Sequence, residues 1–135
     1  MNEINKTIYD TLRAGTALTS LLAGTTAIYN QQPPDNSSMP YVIFNKMGGG
    51  PDNSTPSDSR SYLYFVRAYS TTSQAHAGTI DAQVMNLLHR KTLSVSGYTN
   101  YWTVRESDAP QTVDNLPSGE RAYQSGGFYR IKIDN

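Results

Sequence analysis

The chain has 135 residues, enough for one domain that buries roughly two thirds of the surface its unfolded form exposes. Its 11 Lys and Arg balance 11 Asp and Glu, and a formal net charge of zero argues against a dedicated binder of nucleic acid or anionic membrane. The absence of cysteine excludes a disulfide framework, thiol chemistry and a Cys-based zinc site, and fits a cytosolic setting.

The start, MNEINKTIYD, is polar and periodic, without the apolar run of a signal peptide, and no segment approaches the roughly 18 apolar residues that span a bilayer. Ile4, Ile8 and Leu12 recur every four residues and predict a helix over 3–14, stopped by Gly15. Thr16 is the expected N-cap of a second short helix carrying Leu18, Leu21 and Leu22, closed by Gly24. A brief strand is expected over 26–31, ended by the tandem prolines, and an inner strand over YVIFNKM, 41–47. After a polar loop, SYLYFVRAY predicts a strand over 61–69.

Ala77, Ile80, Val84, Leu87 and Leu88 then follow helical spacing, with Asp81 assigned to another face, and Arg90 and Lys91 placing positive charge at the C-terminal end. NYWTVRE predicts a strand over 100–106, with a short one near 93–95, and GGFYRIKID alternates as a final strand over 126–134. The order αα-β-β-β-α-β-β implies one α+β domain over 1–135: an antiparallel β-sheet with helices packed on one face and a long β-hairpin loop.

Little in the chain suggests catalysis. Gly48, Gly49 and Gly50 invite a phosphate-loop reading, but Pro51 and Asp52 follow where Lys-Ser or Lys-Thr is needed, and Asp52 and Asp58 repel phosphate. His76 and His89 fall about 20 Å apart on one helix, so they cannot share a metal within a subunit. No nucleophile elbow and no His-Glu-x-x-His is present. The chain is expected to be no enzyme and to need no cofactor or metal. Tyr41, Tyr62, Tyr64, Tyr69, Tyr101 and Tyr129 lie inside predicted strands, where packing explains them better than a sugar-binding or base-stacking surface.

Two loops exceed the usual hairpin length, one over 48–60 and one over 107–121. Each is either a disordered tip or a binding arm. The candidate arm residues are Met47, Gly48, Gly49, Gly50, Pro51, Asp52, Asn53, Pro56, Asp58 and Arg60. Glycines there give backbone freedom at the base, and Pro51 and Pro56 limit the entropy lost on docking. The second loop offers Asp108, Pro110, Asp114, Leu116, Pro117 and Glu120.

Four motifs, taken in order, resemble the phage tail terminator family, the tail completion or tail-to-head joining proteins of long-tailed phages. They are IYDTLRAGTALTSLLAGTTAIYNQQPP, MPYVIFNKMGGGPD, YFVRAYSTTSQAHAGTIDAQVMNLL and YQSGGFYRIKID, and together they cover nearly the whole chain. The Ser- and Asp-rich tip over 52–60 and the stretch SGYTNYWTV depart from the family pattern.

The resemblance implies a structural virion protein of the tail neck, assembled in the host cytoplasm. It would form a sixfold ring on the head-proximal end of the tail tube, stopping tube polymerisation and joining the tail to the head connector. Its implied partners are further copies of itself, the tail tube protein and a head-completion stopper protein. Genomic DNA would pass through the lumen without specific binding, and no membrane is involved. The alternatives are another neck protein such as the stopper itself or, from a different class, a carbohydrate-binding module using the tyrosines.

Overall fold

A computed structural model of the chain describes residues 2–35, 37–52 and 59–134. Helix α1 (Asn2–Ala14) leads into a single turn, α2 (Thr16–Thr19). Ile4, Ile8 and Leu12 are fully buried on one face of α1, each worth roughly 1.5–3 kcal/mol of apolar transfer. Thr7 lies on the same side and donates its hydroxyl to the carbonyls of Glu3 and Ser94. The cap of α2 is Gly15, in extended conformation and without a side-chain cap bond, so Thr16 is the first helical residue rather than the N-cap. A Cβ on Gly15 would collide with the Leu87 side chain, so this glycine lets two helices approach closely.

Strand β1 (Ile28–Asn30) pairs with β2 (Tyr41–Pro51) in parallel, Ile28 opposite Val42. The sheet is therefore mixed, with one parallel pair in an otherwise antiparallel ladder. Pro33 and Pro34 exclude a tight hairpin after β1, and a cis Met39–Pro40 bond precedes the entry into β2.

Strand β2 runs on through all three glycines to Pro51, four residues past the expected end, and β3 (Arg60–Ser70) pairs with it over its whole length. Alternation in β3 is regular. Tyr62, Tyr64, Val66, Ala68 and Ser70 are buried, while Leu63, Phe65, Arg67 and Tyr69 are half-buried on the opposite face.

Ser73 caps the next helix, α3 (Gln74–Leu88), its hydroxyl accepting the His76 N–H at 3.1 Å. The chain then passes residues 93–95, which form no strand, although Leu93 and Val95 are buried. Strand β4 (Thr99–Asp108) follows, then β5 (Thr112–Asn115) and β6 (Arg121–Asp134). The final strand begins at Arg121 rather than 126, because Gly126 and Gly127 sit inside the ladder and do not start it.

The sheet order is β1-β2-β3-β6-β4, and β5 continues the line of β4 along β6. Among the described residues the three helices cover one face. Their apolar stripes meet Val42, Phe44, Tyr64, Val66, Tyr129, Ile131 and Ile133 in one core.

Candidate functional site

The first candidate arm is a β-hairpin. Gly48, Gly49, Gly50 and Pro51 stand opposite Leu63, Tyr62, Ser61 and Arg60, so the glycines belong to a strand and not to a slack loop. The register slips between Lys46 and Gly48, leaving Met47 as the extra residue of a bulge with 53% of its surface exposed. Only Gly49 must be glycine. Its φ is +111°, and a Cβ there would collide with the Ser61 carbonyl and lie 2.7 Å from the Tyr62 Cα. Gly48 and Gly50 face open space.

The Asp52 N–H donates to the Ser59 carbonyl at 2.8 Å, carrying the pairing to the last described residues. Asn53, Pro56 and Asp58 lie outside the described residues. Arg60 places its guanidinium 5.4 Å from the Tyr98 ring centre, and Ser59 Oγ lies 3.0 Å from the Tyr101 hydroxyl.

The second candidate is also a hairpin where a loop was expected. β5 and β6 pair from Thr112–Gln124 to Asn115–Arg121. The turn closes through Leu116 N–H to Glu120 O at 2.8 Å and Gly119 N–H to Leu116 O at 2.9 Å. Gly119 takes φ +88°, as a left-handed turn position requires. Asp114, Pro117 and Glu120 are exposed, and Pro110 is exposed before β5. Leu116 and Pro117 face Pro33, Pro34 and Tyr41 across a cleft of about 560 Å³. Asp108 differs from the rest in having a partner, because its exposed carboxylate accepts from Arg105 Nε at 2.8 Å.

The strand register puts the two hairpins at opposite ends of the sheet. The arm base at Arg60 is level with Ile133, whereas the second hairpin extends β6 beyond Tyr123, which faces Ser70 at the other end of β3.

Sequence reasoning missed the ion pair that ties α3 to the sheet. Arg105 on β4 donates Nη1 to Asp81 Oδ1 and Nη2 to Asp81 Oδ2, both at 2.9 Å, and Nη2 also to the Gly126 carbonyl at 2.9 Å. Ser125 Oγ adds a bond to Asp81 at 3.2 Å, and the Tyr129 hydroxyl accepts from Nη1 at 3.3 Å. Burial opposes the Arg105 charge, but the bonds to Asp81 outweigh it and leave the guanidinium more basic than usual. A Cβ on Gly127 would lie 2.6 Å from the Arg105 Cζ, so this glycine clears the guanidinium's path. The missed signal was spacing: Asp81 follows Ala77 by four positions, in the stripe with Ile80, Val84 and Leu88.

The edge of β4 is largely capped within the chain. The Arg90 N–H donates to Thr103 O at 2.7 Å, and His89 Nδ1 accepts the Arg105 N–H at 3.0 Å. His76 likewise bonds within its subunit, Nδ1 lying 2.7 Å from Ser70 Oγ. At the other edge β1 accompanies β2 only as far as Phe44. Among the described residues, β2 from Asn45 onward has no strand on its outer side.

The tyrosines divide. Tyr41, Tyr62, Tyr64 and Tyr129 are buried. On the sheet face away from the helices, Tyr41 packs against Tyr29 and Tyr69, Phe65 stacks on Phe128 at 4.8 Å, and Arg67 lies over Phe65. Tyr101 and Trp102 depart from the packing role, being 52% and 49% exposed. They border a cavity of about 510 Å³ with Arg90, Lys91, Thr92 and Thr103.

The domain is α+β, and its two candidate segments are hairpins at opposite ends of the sheet. A family model described as tail completion protein gp17 matches residues 6–119. The chain belongs to that family, and is a structural component of the phage tail in the virion. A solved chain from a structure described as the virion of a native gene transfer agent particle shares the fold. It is 16% identical with a TM-score of 0.78, and the match covers 98% of this chain and 95% of that one. No curated protein matches by sequence.

Proposed function

We propose that the protein caps the head-proximal end of the tail tube as a ring, most simply a hexamer, which stops tube polymerisation and joins the tail to the head connector. One observation carries this reading. The arm grows from the β2 side of a rigid sheet, and β4 forms the opposite edge. Unlike surfaces on opposite edges suit a head-to-tail contact that repeats until the rotation closes. The Asp81–Arg105 pair fixes α3 to β4, so the angle between the two edges is held by the core.

In this reading the arm makes the contact between subunits. The β5–β6 hairpin, at the other end of the sheet, faces the tube or the head-side stopper. Balanced charge suits a lumen through which DNA passes, since neutralising many phosphates would hold the duplex and slow it.

The test is a tail-joining assay with residues 52–59 replaced by a two-residue turn. The shortened protein should keep the wild-type circular dichroism and melting profile, yet fail to assemble and to join tails to heads. Normal joining by the shortened protein removes the arm from the mechanism. Rings found on isolated tails support a terminator, and rings retained on tailless heads support a stopper instead.

A further inference from the structure

Three of the large apolar side chains that stay exposed are Met47, Tyr101 and Trp102. Met47 stands on the β2 side of the arm, and the two aromatics stand on β4 at the far edge of the same sheet, where the Tyr101 hydroxyl reaches Ser59 at the base of the arm. A bulge between Asn100 and Trp102 makes Tyr101 an extra residue, so both aromatics reach the same cavity.

The charge of that cavity is one-sided. Its lining includes Arg90, Lys91 and Arg105 and no carboxylate. Arg105 is engaged by Asp81 and Asp108, which leaves Arg90 and Lys91, both exposed and, among the described residues, without an ion-pair partner. Arg90 also holds φ at +58° just past the end of α3. Glycine occupies such a position without strain.

We propose that this pocket receives the β2–β3 arm of a second copy of the chain. Met47 of one copy packs on Trp102 of the next, a thioether against an aromatic ring, and Asp52 pairs with Arg90 and Lys91. The complementarity is present in the described residues. The arm carries an exposed carboxylate at Asp52 and an exposed methionine at Met47, while the pocket offers cations beside exposed rings. Donor and acceptor lie at opposite edges, as a closing head-to-tail contact needs. This inference rests on the ring reading above and names the surface through which the ring would close.

The chain has no cysteine, which makes a cross-linking test clean. Full-length Met47→Cys and Trp102→Cys proteins are mixed under mild oxidation at a concentration where the wild type assembles. The mixture should form disulfide-linked dimers at least tenfold faster than either variant alone. Next, Arg90→Glu with Lys91→Glu should raise the concentration needed for assembly at least tenfold, and adding Asp52→Lys should recover most of that loss. Arg90→Gly should raise the melting temperature while weakening assembly, a split that a merely structural role would not produce.

If the wild type assembles and neither the cross-link nor the charge reversal has an effect, the pocket is not the receiving surface and the inference fails alone. Weakened assembly without rescue by Asp52→Lys overturns the arm as occupant and directs the search to Asp114 and Glu120. A wild type that stays monomeric at every concentration overturns the ring reading and this inference together.

Discussion

Asp81 and Arg105 meet face to face, two hydrogen bonds of 2.9 Å joining the central helix to an outer strand. The pair is largely buried, with side-chain exposures of 11% and 8%. Desolvation of two charges offsets much of their attraction, so the pair is better understood as a positioning device than as a net source of stability. Removing one partner is another matter. Asp81→Ala should cost about 3–5 kcal/mol in urea unfolding, because it strands a buried cation. The double variant Asp81→Leu with Arg105→Met should recover most of that loss. A single variant within 1 kcal/mol of wild type would show that water already screens the pair.

Gly49 and Gly48 are neighbours with opposite requirements. Gly49→Ala forces a Cβ into the β3 backbone at a left-handed φ and should cost about 1–3 kcal/mol, with faster amide exchange at Leu63 and Tyr62. Gly48→Ala meets nothing within 4 Å and should be tolerated to within about 0.5 kcal/mol. Equal effects at the two positions would contradict the bulged register.

Asn100 uses its whole side chain. Its Oδ1 accepts from Leu93 N–H and Thr103 Oγ, and its Nδ2 donates to the carbonyls of Trp102 and Lys132. Asn100→Asp keeps the size but replaces two donors with an acceptor, taking the donor from the Trp102 and Lys132 carbonyls and placing a charge at a buried position. A loss of about 2–4 kcal/mol is expected by chemical denaturation, larger at pH 7 than at pH 4 where the carboxyl carries a proton. A loss independent of pH would argue that the site is wet.

Tyr64 and Tyr129 are buried phenols. Burial raises the Tyr129 phenol from 10.0 to about 12, against the lowering effect of Arg105, and burial raises Tyr64 further still. The Tyr64 hydroxyl donates to Asn5 Oδ1 at 2.7 Å. Above pH 10 the unfolded chain releases these protons while the native fold keeps them. Stability is therefore full below pH 10 and falls as pH rises towards 12, by about 1.4 kcal/mol per pH unit for each tyrosine. Spectrophotometric titration at 295 nm should show both phenols ionising well above the ordinary tyrosine range while the protein stays folded. Tyr129→Phe should make the decline shallower, and ionisation of all tyrosines near pH 10 in the folded protein would refute the burial.

The helices and most strands were legible because periodicity reports burial directly: Ile4, Ile8 and Leu12 mark one face of α1, and Tyr62, Tyr64 and Val66 one face of β3. The glycines of the 48–60 segment read as loop because glycine composition suggests one, whereas a bulge at Met47 keeps the ladder running to Pro51. The 107–121 segment read as a loop because β5 is exposed at every position and carries no alternation. The parallel seating of β1 depends on where a proline-bearing connection leads, which local pattern does not encode. Asp81 reads as lying off the apolar stripe because charge normally avoids it, and its partner lies 24 residues away on another element.

The central claim is a ring that ends the tail tube. Its most direct measurement is electron microscopy of tail tube protein polymerising with and without this chain at equimolar amounts. The expected result is tubes of limited length, each carrying a ring of this protein at one end only, and no further growth from that end. Tubes that keep growing from both ends, beside a protein that remains monomeric, would contradict the claim.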